Sequence, residues 1–276
     1  MNKTILISIN TSWNIYNFRA PLLQALKAQG YRIVSAAPDD VYTPRLKVIV
    51  DHHLHLPMQN AGTSILEDIK LFFRYLRILH KVKPAVVLAY TIKPNIYGSF
   101  AARLLGIPII NNVSGLGTAF IHDKWLTTLV KQLYQRAFAS SACVFFQNSE
   151  DQNLFIEMQL VAPEKTILLP GSGVDLDYFY PVKIDANADK PIAFMLIARM
   201  LWDKGIGEFV DAARIVKASH PEVVFRLVGP KGVQNKTSIP EGVIKAWIEE
   251  GVVEYLGETD SVREMMVEQD LSLIHI

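Results

Sequence analysis

Short apolar runs alternate with stretches of helical spacing from the first residues onward. T-I-L-I-S-I at 4–9 is apolar and β-branched, the pattern of a strand covered on both faces. Residues 17–29 repeat at helical spacing, with Pro21 early and Gly30 as a stop. Further strands are predicted at 32–37, 47–50, 85–90, 107–113, 142–147 and 166–169. Helices are predicted between them at about 64–82, 95–105, 124–139 and 150–159, the last opened by Ser149 with Glu150 and Asp151 behind it. Such alternation specifies an α/β fold, a parallel sheet covered by helices.

At 170–190 the pattern breaks into a segment rich in Pro and Gly with little apolar periodicity. It then resumes with strand 192–198, helix 206–218, strand 223–228, helix 240–250, strand 252–256 and helix 260–268. The predicted organisation is a first domain over 1–170, a linker over 171–190 and a second domain over 191–276. The second holds about three strands, where a doubly wound domain has about five or six, and so reads as incomplete. The final L-S-L-I-H-I matches one translation of CTGTCTCTTATACACATC, which resembles a transposase sequencing adapter. The expectation is a reading frame cut after Asp270, leaving a fragment without activity.

Length and composition narrow the picture further. The 276 residues predict about two domains, and 50% hydrophobic with 20% charged residues fits a folded core. A net charge of +1 gives no support to a nucleic-acid binder. One cysteine, Cys143, excludes an internal disulfide and a Cys-based zinc site, and reads as core. No stretch reaches the ~18–20 apolar residues of a membrane span, and the N-terminus turns polar too soon for a signal peptide, so a cytoplasmic location is expected. The neutrality hides an asymmetry: residues 1–170 hold 17 Lys/Arg against 10 Asp/Glu, whereas 171–276 hold 11 against 17. Segment 70–83 carries five Lys/Arg, no acid and an apolar stripe of Leu71, Phe72, Tyr75, Leu76, Leu79 and Val82. The stripe packs on the sheet or docks on anionic lipid; in either case the basic face attracts a membrane.

Loops leaving the carboxyl ends of strands are the candidate sites. The first, S-I-N-T-S-W-N-I-Y-N-F-R at 8–19, has no G-x-G-x-x-G and so no dinucleotide fingerprint. Asn10, Thr11, Ser12 and Asn14 could bond a phosphate or sugar and Arg19 an anion; an N-capping loop explains the same residues. The second, Y-T-I-K-P-N-I-Y-G at 90–98, sets Lys93 before a helix start, as an anion site or as a solvated lysine. The third, N-V-S-G-L-G-T at 112–118, has two glycines that admit a ligand or form a plain turn. The fourth, I-A-R-M-L-W-D-K-G-I-G at 197–207, is the strongest. Arg199 and Lys204 flank a loop that opens a helix at Gly205, with Ile206, Phe209, Val210 and Ala213 on one stripe. Two cations, free N–H groups and a positive helix end make a diphosphate pocket, to which G-S-G-V-D (171–175) could add backbone donors. Asp175 and Asp177 have D-x-D spacing but sit in the linker, and His53 and His55 share a strand face without a third ligand, so no metal site is expected. The absence of G-x-S-x-G, a P-loop and H-E-x-x-H removes the common hydrolase, NTPase and metalloprotease readings.

Y-N-F-R (16–19), T-I-K-P-N-I-Y-G-S-F-A-A-R-L-L-G-I-P (91–108), S-G-L-G (114–117), G-S-G-V-D (171–175) and A-R-M-L-W-D-K-G (198–205) together resemble the family 4 glycosyltransferases of GT-B fold. Within that family they resemble the bacterial branch acting on undecaprenyl-diphosphate-linked diacetylbacillosamine with N-acetylgalactosamine. The resemblance implies two Rossmann-like domains, the first binding acceptor and the second a UDP-sugar. It implies retention of anomeric configuration without a metal or other cofactor. It places Arg199 and Lys204 as the catalytic pair on the donor diphosphate, with Gly171, Ser172, Gly173 and Gly205 nearby. Asn10, Thr11, Ser12, Asn17, Arg19, Lys93, Ser114 and Gly115 fall on the acceptor side. The implied partners are the UDP-sugar, a lipid-linked sugar acceptor and the anionic inner face of the cytoplasmic membrane, where the protein would bind peripherally. Two departures stand out. Ser114 replaces a histidine common in the family, and the E-x7-E element that would follow a strand near 271 is absent. A GT-B sugar-nucleotide epimerase and a non-catalytic sugar-nucleotide or lipid-head-group module are the alternatives.

Overall fold

The structure, a computed structural model, describes residues 3–59, 64–115, 124–182, 191–233, 235, 237–267, 269 and 271–273. It divides into two compact units, Met1–Asp175 and Leu176–Ile276. The first is a helix-covered parallel sheet of strands β1 (Thr4–Ser8), β2 (Arg32–Ala37), β3 (His52–His55), β4 (Val86–Tyr90), β5 (Ile109–Val113), β6 (Cys143–Phe146) and β7 (Thr166–Leu168), in the order β3-β2-β1-β4-β5-β6-β7. Its helices are α1 (Ser12–Ala28), α2 (Thr43–Ile49), α3 (Ile65–Val82), α4 (Ser99–Leu104), α5 (Lys124–Phe138) and α6 (Ser149–Glu157), with a π-helical turn at Pro94–Gly98 leading into α4.

Alternation along β1 sorts its side chains onto two faces. Ile5, Ile7 and Ile9 pack with Ile15 and Leu23 of α1 and Leu46 of α2. Leu6 packs on the other face with Tyr75 and Leu79 of α3. That two-sided cover is why the strand reads as a nearly unbroken apolar run. The chain winds outward from β1 to β3, then returns to lay β4 along the free flank of β1, where Ile5 pairs with Val86. Connections leave in opposite directions at this β1/β4 boundary, which opens a crevice beyond the carboxyl ends of the two strands.

Two sequence expectations fail here. Residues 47–50 do not form a strand: they lie at the end of α2, which Pro44 opens and which buries Leu46 against the sheet, and the strand is His52–His55. Helix α1 begins at Ser12 rather than 17, because the Thr11 side chain caps it by accepting from the Asn14 N–H at 3.1 Å. Pro21 therefore lies inside the helix. The predicted stripe on 70–83 does face the sheet, with Leu71, Tyr75 and Leu79 buried and Phe72, Leu76 and Val82 half-buried behind them.

The second unit has a four-stranded parallel sheet of β8 (Ala193–Ile197), β9 (Val224–Val228), β10 (Glu254–Tyr255) and β11 (Leu271–Leu273), in the order β10-β9-β8-β11. Helices α7 (Ile206–Ser219), α8 (Glu241–Glu249) and α9 (Val262–Val267) alternate with them. Ile206, Phe209, Val210 and Ala213 of α7 are all buried, against Phe225 and Leu227 of β9. Among the described residues no helix is long and apolar enough to cross a membrane.

Candidate functional site

In the second unit the loop from β8 to α7 is held as a rigid ledge. Backbone bonds tie Ala198 N–H to the Val228 carbonyl at 3.0 Å, Met200 N–H to Pro230 at 2.9 Å and Trp202 N–H to Thr237 at 2.8 Å. The Thr237 hydroxyl donates to the Asp203 carboxylate at 2.8 Å. Gly229 makes the first of these contacts possible: its φ is +133°, and a Cβ there would collide with the Ala198 carbonyl. Arg199 leaves this ledge exposed, and Lys204 follows half-buried in a short 3-10 turn. Among the described residues neither side chain forms a hydrogen bond or ion pair. Gly205 caps α7 in the left-handed region, φ +70°, and has no side chain to occupy the helix's first N–H groups. Two uncommitted cations beside an uncapped helix start are suited to a diphosphate.

Beside the ledge, Lys231, Glu241, Lys245, Ile248 and Tyr255 line a cleft of about 240 Å³. Lys231 pairs with Glu241 at 3.3 Å and lies over the Tyr255 ring.

In the first unit several candidate polar groups are already committed. Thr11 caps α1, and the Ser12 hydroxyl donates to the Pro38 carbonyl at 2.8 Å. The Asp40 carboxylate accepts from the Trp13 N–H at 2.7 Å, so an internal anion already fills the α1 start. Asn17 lies on the exposed side of α1, donating to the Trp13 carbonyl at 2.9 Å. Lys93 pairs with Asp68 of α3 at 2.7 Å, and Asp68 also accepts from the Tyr97 hydroxyl at 2.9 Å. Nothing in the local sequence of 90–98 announces that partner, which arrives from 25 residues away.

Arg19 differs. It is only 7% exposed, stacks 4.4 Å from the centroid of the Tyr90 ring, and its Nε has no hydrogen-bond partner. Burial lowers its pKa from the ordinary arginine value, against an opposing pull from Tyr90. Asn10 is half-buried just beyond β1, and Ser114 and Gly115 are exposed beyond β5, Gly115 with φ +136°. Leu116–Thr118, the rest of that turn, lie outside the described residues.

Behind these loops sits a buried polar network that the sequence reading did not single out. Asn111 of β5 donates to the Asn95 side chain at 3.0 Å and to the Ser99 hydroxyl at 3.0 Å, and accepts from the Ser141 hydroxyl at 2.6 Å. The signal was the Asn111-Asn112 pair inside an apolar strand. Gly171 and Gly173 both have positive φ, +81° and +75°, and Ser172 between them accepts from the Gln147 amide at 2.9 Å. These three lie in the first unit, and Arg199, Lys204 and Gly205 in the second.

A family model described as glycosyl transferase 4-like matches residues 4–148, just over half of the chain. The chain belongs to that family. A relative from Campylobacter jejuni, N,N'-diacetylbacillosaminyl-diphospho-undecaprenol alpha-1,3-N-acetylgalactosaminyltransferase, is 25% identical over 95% of this chain and 71% of its own length. An Escherichia coli relative, UDP-Gal:alpha-D-GlcNAc-diphosphoundecaprenol alpha-1,3-galactosyltransferase, is 27% identical over 65% of this chain and 49% of its own. Among solved structures, Anabaena HepE in complex with UDP-glucose is similar with a TM-score of 0.72 and 17% identity, over 98% of this chain and 72% of that one. The fold is thus the α/β, GT-B architecture that the sequence predicted for a family 4 glycosyltransferase. Among the described residues no three His, Cys, Asp or Glu side chains are grouped to hold a metal ion.

Proposed function

We propose that the protein is a retaining glycosyltransferase that moves a hexose or N-acetylhexosamine from a UDP-sugar to an undecaprenyl-diphosphate-linked sugar. The observation that carries the donor half is the β8–α7 ledge, with Arg199 and Lys204 uncommitted beside the open start of α7. As the glycosidic bond breaks, negative charge grows on the departing nucleoside diphosphate. Fixed cations and a helix start stabilise it without reorganising, often the largest catalytic contribution. The acceptor hydroxyl attacks on the face the leaving group vacates and passes its proton to a phosphate oxygen, so no protein nucleophile enters the scheme. With positive charge supplied by Arg199 and Lys204, the reaction needs no metal.

The two relatives support the acceptor half: both are named for diphosphoundecaprenol-linked acceptors and for galacto-configured donors with alpha-1,3 products. An alpha product from an alpha-linked UDP-sugar is retention. A site on the inner face of the cytoplasmic membrane fits the basic first unit. Helix α3 there exposes Ile65, Leu66, Ile69 and Phe73 with Arg77 and Lys81, an apolar patch rimmed by cations. The test is transfer from a panel of labelled UDP-sugars to an undecaprenyl-diphosphate-linked acceptor. In a full-length version, Arg199→Ala or Lys204→Ala should each cut turnover by about 10²–10³. Wild-type rates in both variants would refute the donor site.

A further inference from the structure

The core-facing stripe of α1 is Ser12, Ile15, Arg19 and Leu23. Three of the four suit their place: Ser12 is satisfied by Pro38, and Ile15 and Leu23 join the sheet cluster. Arg19 does not. A charge taken from water without a hydrogen-bonded counter-charge is destabilising. The Tyr90 ring offsets only part of that, since a cation–π contact replaces neither the water nor the hydrogen bonds the guanidinium has lost. Nε is shielded and has no hydrogen-bond partner among the described residues. The two terminal nitrogens make no hydrogen bond among the described residues either, yet they are not sealed from solvent. Among the described residues no carboxylate pairs with this charge: Asp40 is held by the α1 start, Asp68 by Lys93, and Asp39 by His53 and His55.

Tyr90 ends β4, and α1 follows β1, so the guanidinium lies at the β1/β4 switch point where open α/β sheets bind ligands. Thr91, next to Tyr90, has φ +65°, rare for a β-branched residue.

We infer that the β1/β4 crevice is a phosphoryl-binding site anchored by the Arg19 guanidinium, and that in transfer it takes the diphosphate of the lipid-linked acceptor. The anion's identity rests on the acceptor reading above; the site itself does not. A planar guanidinium backed by an aromatic ring presents its terminal N–H groups as a fork, the geometry that phosphate oxygens accept.

The test separates this site from the donor ledge by working in an Arg199→Ala, Lys204→Ala background of the whole chain. UDP titration of that background against wild type reads the donor site alone. Inorganic pyrophosphate and farnesyl diphosphate are then titrated into the background with and without Arg19→Met, with melting temperature and calorimetric affinity recorded. Pyrophosphate is expected to bind and to raise the melting temperature, and Arg19→Met to weaken it by about tenfold or more. The ligand-free melting temperature of Arg19→Met should equal or exceed that of its parent, because a buried charge is removed. Arg19→Lys, which keeps the charge and loses the fork, should retain weak binding and serves if the methionine variant does not fold. Farnesyl diphosphate binding more tightly than pyrophosphate, in an Arg19-dependent way, supports the lipid-linked source; pyrophosphate alone binding overturns that source. Undiminished pyrophosphate affinity in both Arg19 variants overturns the site, as does an Arg19→Met chain that is merely destabilised.

Discussion

Gly229→Ala is a small change with a large expected effect. Gly229 follows β9 with φ +133°, a conformation nearly closed to residues with a side chain. That alone is worth about 1–3 kcal/mol of strain. The new methyl group would also meet the Ala198 carbonyl, a backbone atom that cannot swing aside like a side-chain tip. Relieving the overlap displaces the end of β8 and weakens Ala198 N–H to Val228 at 3.0 Å and Gly229 N–H to Gly257 at 2.8 Å. Each such bond contributes about 1 kcal/mol net. The combined loss is about 3–5 kcal/mol, a large share of the roughly 5–15 kcal/mol that holds a domain folded. Urea unfolding followed by tryptophan fluorescence reads it, since Trp202 packs edge-on against Trp247 at 5.8 Å within this unit. The midpoint should fall sharply, and UDP affinity with it, because Arg199 follows Ala198. A wild-type midpoint and wild-type UDP affinity would refute both the clash and its coupling to the ledge.

Asn111→Leu should destabilise by about 3 kcal/mol, by taking from the Ser99 hydroxyl, the Asn95 side-chain oxygen and the Ser141 hydroxyl the hydrogen bonds that Asn111 makes in a buried site; an unchanged denaturation midpoint would dismiss the network. Burial pushes the His53 imidazole below its ordinary value, against an opposing pull from Asp39 and with Lys47 and His55 adding to the shift, while Ser35 bonds its Nδ1 at 2.8 Å. The unfolded chain then holds more protons, so stability rises with pH up to about 6.5 and falls as pH drops through the lower folded value; melting temperatures across that window should show a shallower slope in His53→Gln. The first unit should sediment with vesicles of anionic lipid, less so in added salt and less so after Phe73→Ala with Arg77→Glu and Lys81→Glu; equal binding to neutral vesicles would remove the electrostatic argument.

The alternation of strand and helix was legible because parallel strands covered on both faces are apolar without a break, as in β1 and β8. The local geometry of the β8–α7 ledge was legible for a related reason: strand, loop cations and helix start are all local in sequence. Residues 47–50 misled because a β-branched run fits a strand and the last turn of a helix equally well, and only the packing of Leu46 decides. The first loop was drawn too long because a single Thr11 cap sets where α1 begins. Lys93 and Arg19 looked alike as exposed loop cations. The fold gives one an aspartate and buries the other with no hydrogen-bonded counter-charge among the described residues, and neither outcome is written near either residue. Gly229 reads as an ordinary turn glycine until the neighbouring strand end is in place.

The central claim is that Arg199 and Lys204 form the diphosphate site of a UDP-sugar donor. Calorimetric titration of UDP and of uridine into the protein, into Arg199→Ala and into Lys204→Ala tests it most directly. UDP should bind the wild type more tightly than uridine does, and each substitution should weaken UDP by about tenfold or more while leaving uridine unchanged. Uridine binding as tightly as UDP, or UDP binding unaffected by both substitutions, would contradict it.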